Sequence, residues 1–328
     1  MVKNRLLMVN RVFMSYSLCD PKIYKSFCIL NPLPGLSLFL QNPEHNGWDP
    51  IKSDSMENPI TRPADIDIEQ IILNGRSEAL KKLPRFVFKI FAWIIKEDEM
   101  NNILSKYPDA TGKDFLVKII AELNLNVEIE GAENLPESGK CFFVANHPFG
   151  VIDGLILTHV VSGKYGTLKA IANDSFMFLP QLQPLIAPID VFNHSSKEIA
   201  LVLENLYQSD VPITHFPSGE VSRVYHGKIQ DNVWQKSFIT KAIQSKRDII
   251  PFHFYGRNSR LFYTVFLVRK FLGIKADLEL ILLPRELFRK RNKTIRVRIG
   301  EPISYSTLDK SVSHRDWARE IRARLYKM

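Results

Sequence analysis

The 328-residue sequence predicts an α/β protein: a mixed central β-sheet flanked by helices, preceded by an N-terminal helical segment. Three observations point that way. From residue 126 onward, short apolar runs rich in β-branched and aromatic residues alternate with stretches of helical period, as strands and helices do in a layered sheet domain. From about 66 to 125 the apolar spacing is helical throughout. Residues 1–55 show neither period and carry Pro21, Pro32, Pro34, Pro43 and Pro50, so poor order is expected there.

The division that follows is an extension over 1–55, a helical segment over 56–125 and a sheet domain over 126–328. Met56 opens the ordinary helical pattern and is the expected start of the natural chain, which a peptide map containing earlier residues would contradict. In the helical segment, Leu80, Leu83, Phe86, Phe88, Ile90 and Trp93 interleave with Lys81, Lys82, Arg85 and Lys89. A helix with aromatic bulk and a basic end suits the plane of a membrane interface, so residues about 80–95 are expected to dock on a membrane surface. Residues 114–126 form a further amphipathic helix, with Leu116, Ile119, Ile120 and Leu123 on one face.

Within the sheet domain the expected strands are 127–129, 141–145, 168–172, 186–191, 213–216, 249–255, 278–283 and 295–299. The expected helices are 154–161, 197–207, 233–245 and 313–326. In such folds ligands sit at the carboxyl ends of the strands.

Composition narrows the classes. A formal net charge of +9 favours an anionic partner: nucleic acid, an anionic lipid surface or an acidic carrier. The basic residues fall in no nucleic-acid-binding motif, so no nucleic acid is expected. Cysteines at 19, 28 and 141 make neither a disulfide framework nor a zinc pair. No run reaches the roughly 18 apolar residues of a spanning helix. The opening Lys3, Arg5, Leu6, Leu7, Met8 and Val9 resemble a signal peptide until Arg11 interrupts them without a clear cleavage site. A peripheral, monotopic protein on the cytoplasmic face of the membrane, with no transmembrane span, is therefore expected.

Two loops carry the chemistry. The apolar run ending at Ala145 meets Asn146 and His147, passes through Pro148, Phe149 and Gly150, and reaches Asp153 where a new apolar segment starts. A histidine at a strand end and a carboxylate one short loop away can form a general-base pair, the carboxylate holding the imidazole tautomer and stabilising the imidazolium. The plain alternative is an aspartate capping the next helix. The second loop follows another apolar strand and reads Phe216, Pro217, Ser218, Gly219, Glu220, Val221, Ser222, Arg223. Its Pro and Gly shape a tight turn with exposed N–H groups, and Arg223 suits an anionic substrate group because its fork binds carboxylate or phosphate.

Taken together, these blocks resemble the glycerophospholipid acyltransferase (PlsC-like) superfamily, whose members carry Asn-His-x4-Asp, then Phe-Pro-x-Gly with charged neighbours, then an apolar strand ending in proline. Here the third block is Ile249, Ile250 and Pro251, and a closing strand ends at Gly300, Glu301, Pro302 and Ile303. The resemblance spans about 126–305 with the blocks in order. Five residues rather than four separate His147 from Asp153, and the arginine of the Pro-Gly block is delayed to Arg223. The segment 189–193 lacks the arginine that helps bind glycerol phosphate in the family. The spelling is closer to a branch of haemolysin-like proteins and O-acyltransferases that make ornithine and glycine lipids.

The resemblance implies an O-acyltransferase of membrane lipid biosynthesis that moves a fatty acyl group from a thioester, on acyl carrier protein or coenzyme A, to the hydroxyl of a lysolipid acceptor, expected to be a lyso-amino-acid (ornithine or glycine) lipid. It requires no metal and no bound cofactor. His147 and Asp153 would be catalytic; Glu220, Arg223, Gly219, Asn146 and Ser218 would organise the substrate, with N–H groups around Gly219 holding the oxyanion. The missing arginine counts against the alternative, a lysophosphatidate or lysophospholipid acyltransferase. The other alternative is a haemolysin-like membrane-binding protein without catalysis. Asp190, His194, His215 and His253 are expected to be structural or solvated. Lys169 is a weaker headgroup candidate, and 285–293 is a solvated basic face or a surface for anionic lipid or an acidic carrier.

Overall fold

The structure, a computed structural model, describes residues 66–73, 81–171, 180–187 and 196–328. The expected extension over 1–55, Asp190, His194 and most of the expected strand 186–191 lie outside these residues.

Four helices come first: α1 (Ile68–Leu73), α2 (Arg85–Ile95), α3 (Glu97–Lys106) and α4 (Gly112–Glu122). Pro84 caps α2, since proline cannot continue a helix backward from its first turn, and Lys96 ends it in a left-handed conformation with φ 61°. Among the described residues, six strands form one sheet in the order β1-β8-β7-β2-β4-β3. They are β1 (Asn126–Glu130), β2 (Cys141–Ala145), β3 (Lys169–Ile171), β4 (Ile213–His215), β7 (Asp248–Tyr255) and β8 (Thr294–Ile299). Only β7 and β8 pair antiparallel, so the sheet is mixed, as expected.

The central strand β2 is buried along its whole length. Cys141, Phe143 and Ala145 enter one core, and Phe142 and Val144 enter the other. Burial on both faces is what turns a strand into an unbroken apolar run. The first core takes α4 and α5 (Val151–Tyr165). The second takes α7 (Ser237–Ser245) and α10 (His314–Leu325), with α6 (Ser196–Gln208) alongside.

Three elements differ from expectation. Residues 278–283 are not a strand: Leu278–Leu282 is a 3-10 turn, and Leu283 opens the short helix α9 (Leu283–Phe288), with Pro284 in its first turn. A short apolar run does not by itself distinguish the two states. Here Glu279, mid-run, is fully buried in an ion-pair cluster instead of lying in a ladder. A hairpin of β5 (Arg223–Tyr225) and β6 (Lys228–Gln230) follows the second loop, turning at His226 and Gly227, both with positive φ. Helix α8 (Arg260–Phe271) was also unforeseen, because apolar residues surround it instead of forming a stripe.

Candidate active site

Because β2 and β4 pair in parallel, with Val144 opposite His215, the two chemistry-bearing loops leave the same rim side by side. Asn146 closes the end of β2 against β7: its Oδ1 accepts the Phe254 N–H at 2.7 Å and its Nδ2 donates to the Phe254 carbonyl at 3.0 Å. The backbone of His147 is held on both sides. Its N–H donates to Asp231 Oδ1 at 3.1 Å, and its carbonyl accepts the Ser222 N–H at 2.8 Å. The ring stacks on Phe216 at 3.9 Å.

His147 Nδ1 lies 3.2 Å from Asp153 Oδ2, with the imidazole 14% exposed and the carboxylate fully enclosed. The two atoms are within hydrogen-bond range but not aligned, and Nδ1 makes no other hydrogen bond among the described residues. Asp153 has further partners. Its Oδ2 accepts the N–H groups of Phe149 at 2.9 Å and Gly150 at 3.3 Å, and its Oδ1 accepts that of Gly154 at 3.0 Å. It therefore caps α5 and faces His147 at once. In the loop between them Gly150 has a φ of 88°, a conformation open to glycine, and a Cβ there would lie 2.8 Å from Leu283 Cδ2.

The second loop departs from the expected substrate contacts. Gly219 N–H donates to the Phe216 carbonyl at 3.0 Å, so the expected oxyanion donor is already engaged. Ser218 Oγ donates to the Glu220 carbonyl at 2.7 Å and is buried. Arg223 is 1% exposed and enclosed by Glu220, by Glu279 at 2.7 Å and by Asp277 at 3.5 Å. Arg269 joins Glu279 at 2.5 Å and Asp277. Burial opposes the charge on Arg223, but the three carboxylates outweigh it and hold its pKa above the ordinary guanidinium value. Glu220 also accepts the Tyr225 hydroxyl at 2.6 Å. Asn146 and Arg223 are thus internal struts here instead of free recognition groups.

Asp231 escaped the sequence reading. It is buried, and its Oδ1 takes the His147 N–H and the Ser222 hydroxyl at 2.5 Å, while Oδ2 takes Trp234 Nε1 at 2.8 Å. Burial raises its pKa, opposed by those same donors. Ser222 and Trp234 are near it in the chain, but the link to the site, His147, lies 84 residues away. Of the other titratable groups, His215 and His253 are each pushed down to about 4 by burial. Burial pushes the Cys141 thiol up to about 12, which leaves no thiolate at neutral pH. Lys169 Nζ donates to the Pro184 carbonyl at 2.7 Å.

On the rim above β7 and β8 lies an open cleft of about 400 Å³, walled by Phe149 of the first loop. Arg257, Arg289, Lys290 and Lys293 line it. Its carboxylate, Glu286, is occupied by the Ser259 N–H at 2.8 Å, the Ser259 hydroxyl at 2.6 Å and Arg285 at 3.1 Å. Among the described residues, Arg257 and Lys293 have no carboxylate within ion-pair distance, so the cleft carries uncompensated positive charge. Lys290 lies over the Phe149 ring at 4.3 Å, and burial lowers its pKa. Among the described residues, no three His, Cys, Asp or Glu side chains cluster so as to hold a metal ion.

The chain is similar to known acyltransferases. The sequence matches the acyltransferase family Acyltransf_2 over residues 71–328. A lyso-glycine lipid O-acyltransferase from Phocaeicola vulgatus is 39% identical over 80% of this chain and 95% of its own length. Another, from Bacteroides thetaiotaomicron, is 39% identical over 80% of this chain and 97% of its own. A crystal structure of the 1-acyl-sn-glycerophosphate (LPA) acyltransferase PlsC from Thermotoga maritima aligns with a TM-score of 0.38 at 17% identity, over 74% of this chain and 92% of that one. The chain belongs to this acyltransferase family, and the enzyme class expected from the four sequence blocks holds.

Proposed function

We propose that the enzyme transfers a fatty acyl group from a thioester to the hydroxyl of a lyso-glycine lipid at a membrane surface. Asp153 faces Nδ1 of His147, which leaves Nε2 to take the hydroxyl proton. The freed oxygen attacks the thioester carbonyl, the C–O bond forms, the C–S bond breaks, and the thiolate leaves with the proton from the imidazolium. The thioester is already activated, and Cys141 lies buried with a raised pKa, so direct transfer needs no acyl-enzyme. The observation that carries this reading is the 3.2 Å approach of His147 Nδ1 to Asp153 Oδ2 on the carboxyl rim.

The acceptor headgroup follows from charge. Glycine joined through its nitrogen keeps a carboxylate. With Arg223 committed internally, the cations at hand are those of the cleft beside Phe149. Arg257 and Lys293 are the residues we assign to the anionic end. Membrane contact is supported by α2, whose outer face exposes Phe86, Ile90 and Trp93 beside Arg85 and Lys89. That spacing is the apolar stripe of an interfacial helix. No described helix is long and apolar enough to cross a membrane.

The test offers the purified enzyme acyl carrier protein thioester or acyl-coenzyme A together with lyso-glycine lipid, lyso-ornithine lipid or lysophosphatidate, with products read by mass spectrometry. Acylation of lyso-glycine lipid is expected, and Arg257→Ala with Lys293→Ala should raise its KM. Turnover of lysophosphatidate alone would overturn the acceptor assignment, and the donor that supports turnover identifies the thioester.

A further inference from the structure

Beyond α2, a second surface carries exposed apolar side chains. Leu267, Val268, Phe271, Leu272, Ile274 and Leu278 all face solvent, Phe271 at 88% and Leu272 at 61% exposure. They occupy the end of α8 and the turn after it. The opposite side of α8 is well anchored: Phe262 and Tyr263 are buried with Leu280, Leu282 and Leu283, and Ile94 of α2 packs against the same cluster. The exposed end is therefore the outer tip of a firmly seated helix, and α2 and α8 share one buried support.

We propose that the end of α8 and its following turn, 267–278, are a second membrane contact that beds with the outer face of α2 in an anionic bilayer. This rests on the membrane-surface reading of α2 and extends it to a two-point footing. Charge selects the partner. On and beside the tip Arg260, Lys270 and Lys275 are exposed, while Arg269 and Asp277 are spent on each other and on Glu279; residues 81–96 contain Lys81, Lys82, Arg85, Lys89 and Lys96 and no acidic residue. Exposed apolar side chains ringed by cations match the acyl boundary and headgroups of an anionic leaflet. Two copies of this face would oppose like charges, which disfavours self-association through it.

The contact is tied to the catalytic rim. Arg269, two residues before Phe271, binds Glu279 at 2.5 Å, and Glu279 binds Arg223 at 2.7 Å. The neighbouring Ser222 holds the His147 carbonyl at 2.8 Å. The buried ion-pair cluster thus fixes the depth of the His147 loop relative to the membrane tip, which suits an acceptor drawn from the bilayer.

Co-sedimentation with vesicles of phosphatidylglycerol and phosphatidylcholine, or of phosphatidylcholine alone, tests this. Phe271→Ser with Leu272→Ser should weaken binding to the anionic vesicles by about tenfold or more, since two large apolar groups lose their insertion. The thermal midpoint and the turnover of detergent-dispersed acceptor should not change. Lys270→Glu with Lys275→Glu should weaken binding to the anionic vesicles only. If the α8 variant binds like wild type while Phe86→Ser with Trp93→Ser abolishes binding, the second contact is overturned and the α2 reading stands. If wild type sediments with neither vesicle, the membrane reading itself fails. If instead the α8 variant alters the sedimentation coefficient of vesicle-free protein, the face is a contact between copies and the proposal is overturned.

Discussion

The loops after β2 and β4 leave neighbouring parallel strands and treat charge in opposite ways. The first brings His147 to the rim with its ring partly exposed, braced by a buried carboxylate on one side and an aromatic ring on the other. The second carries a charged pair, Glu220 and Arg223, that reads equally well as recognition chemistry, yet Arg223 is sealed among three carboxylates. Residue type in a motif states what chemistry is available; burial and partners decide whether it meets a substrate or holds the frame. A guanidinium with every nearby carboxylate engaged has little left to offer a ligand, whereas a histidine with one free nitrogen does.

Substitutions should separate the two loops. The largest effect is expected at Asp153. Asp153→Ala removes the partner of His147 and frees the N–H groups of Phe149, Gly150 and Gly154. Turnover should fall about 10²- to 10⁴-fold, the usual worth of acid–base assistance, and the thermal midpoint should fall with it. A loss of less than about tenfold would make Asp153 a helix cap and nothing more. Arg223→Met comes next: it strips Glu220 of its cation and leaves Asp277 and Glu279 with Arg269 alone. Breaking a buried ion pair by removing one partner costs about 3–5 kcal/mol. A denaturant titration should show that loss, with KM for the acceptor unchanged in the folded fraction. A raised KM without lost stability would instead put Arg223 on the headgroup.

Gly256→Ala probes the first loop from behind. The backbone there has φ 138°, and an added Cβ would lie 2.4 Å from Phe149 Cζ. A strained backbone and a displaced ring cost about 1–3 kcal/mol, and turnover should drop because Phe149 N–H holds Asp153. An unchanged melting curve and rate would show that Phe149 yields freely. The smallest effect concerns acid. His215 is held down to about 4 by burial, against about 6.5 when unfolded. In that window the unfolded chain binds the extra proton, so stability is complete above about 6.5 and declines as pH falls toward 4. His215→Leu should flatten the fall in melting temperature with acid; an identical slope would mean that other groups carry it.

Legibility in the sequence followed physics. The strand Cys141–Ala145 was readable because burial on both faces leaves an unbroken apolar run, and His147 because it sits where that run stops. The run 278–283 misread as a strand because six apolar-rich positions fit either state; buried Glu279 and Pro284 were the available signals. Helix α8 was hidden because its solvent face is as apolar as its core face. The charge of Arg223 was visible, but its fate was not: its partner Glu279 is 56 residues away, and no local pattern announces such a meeting. The role of Asp231 is hidden in its long-range contact alone: Ser222 and Trp234 are near it in the chain, but the His147 N–H it accepts is 84 residues away.

The most direct measurement is kcat for acyl transfer to lyso-glycine lipid by wild type and His147→Ala, normalised to folded protein by circular dichroism. Loss of the general base predicts a fall of about 10²- to 10⁴-fold with the fold intact. Turnover within tenfold of wild type would contradict the account and place the proton transfer elsewhere.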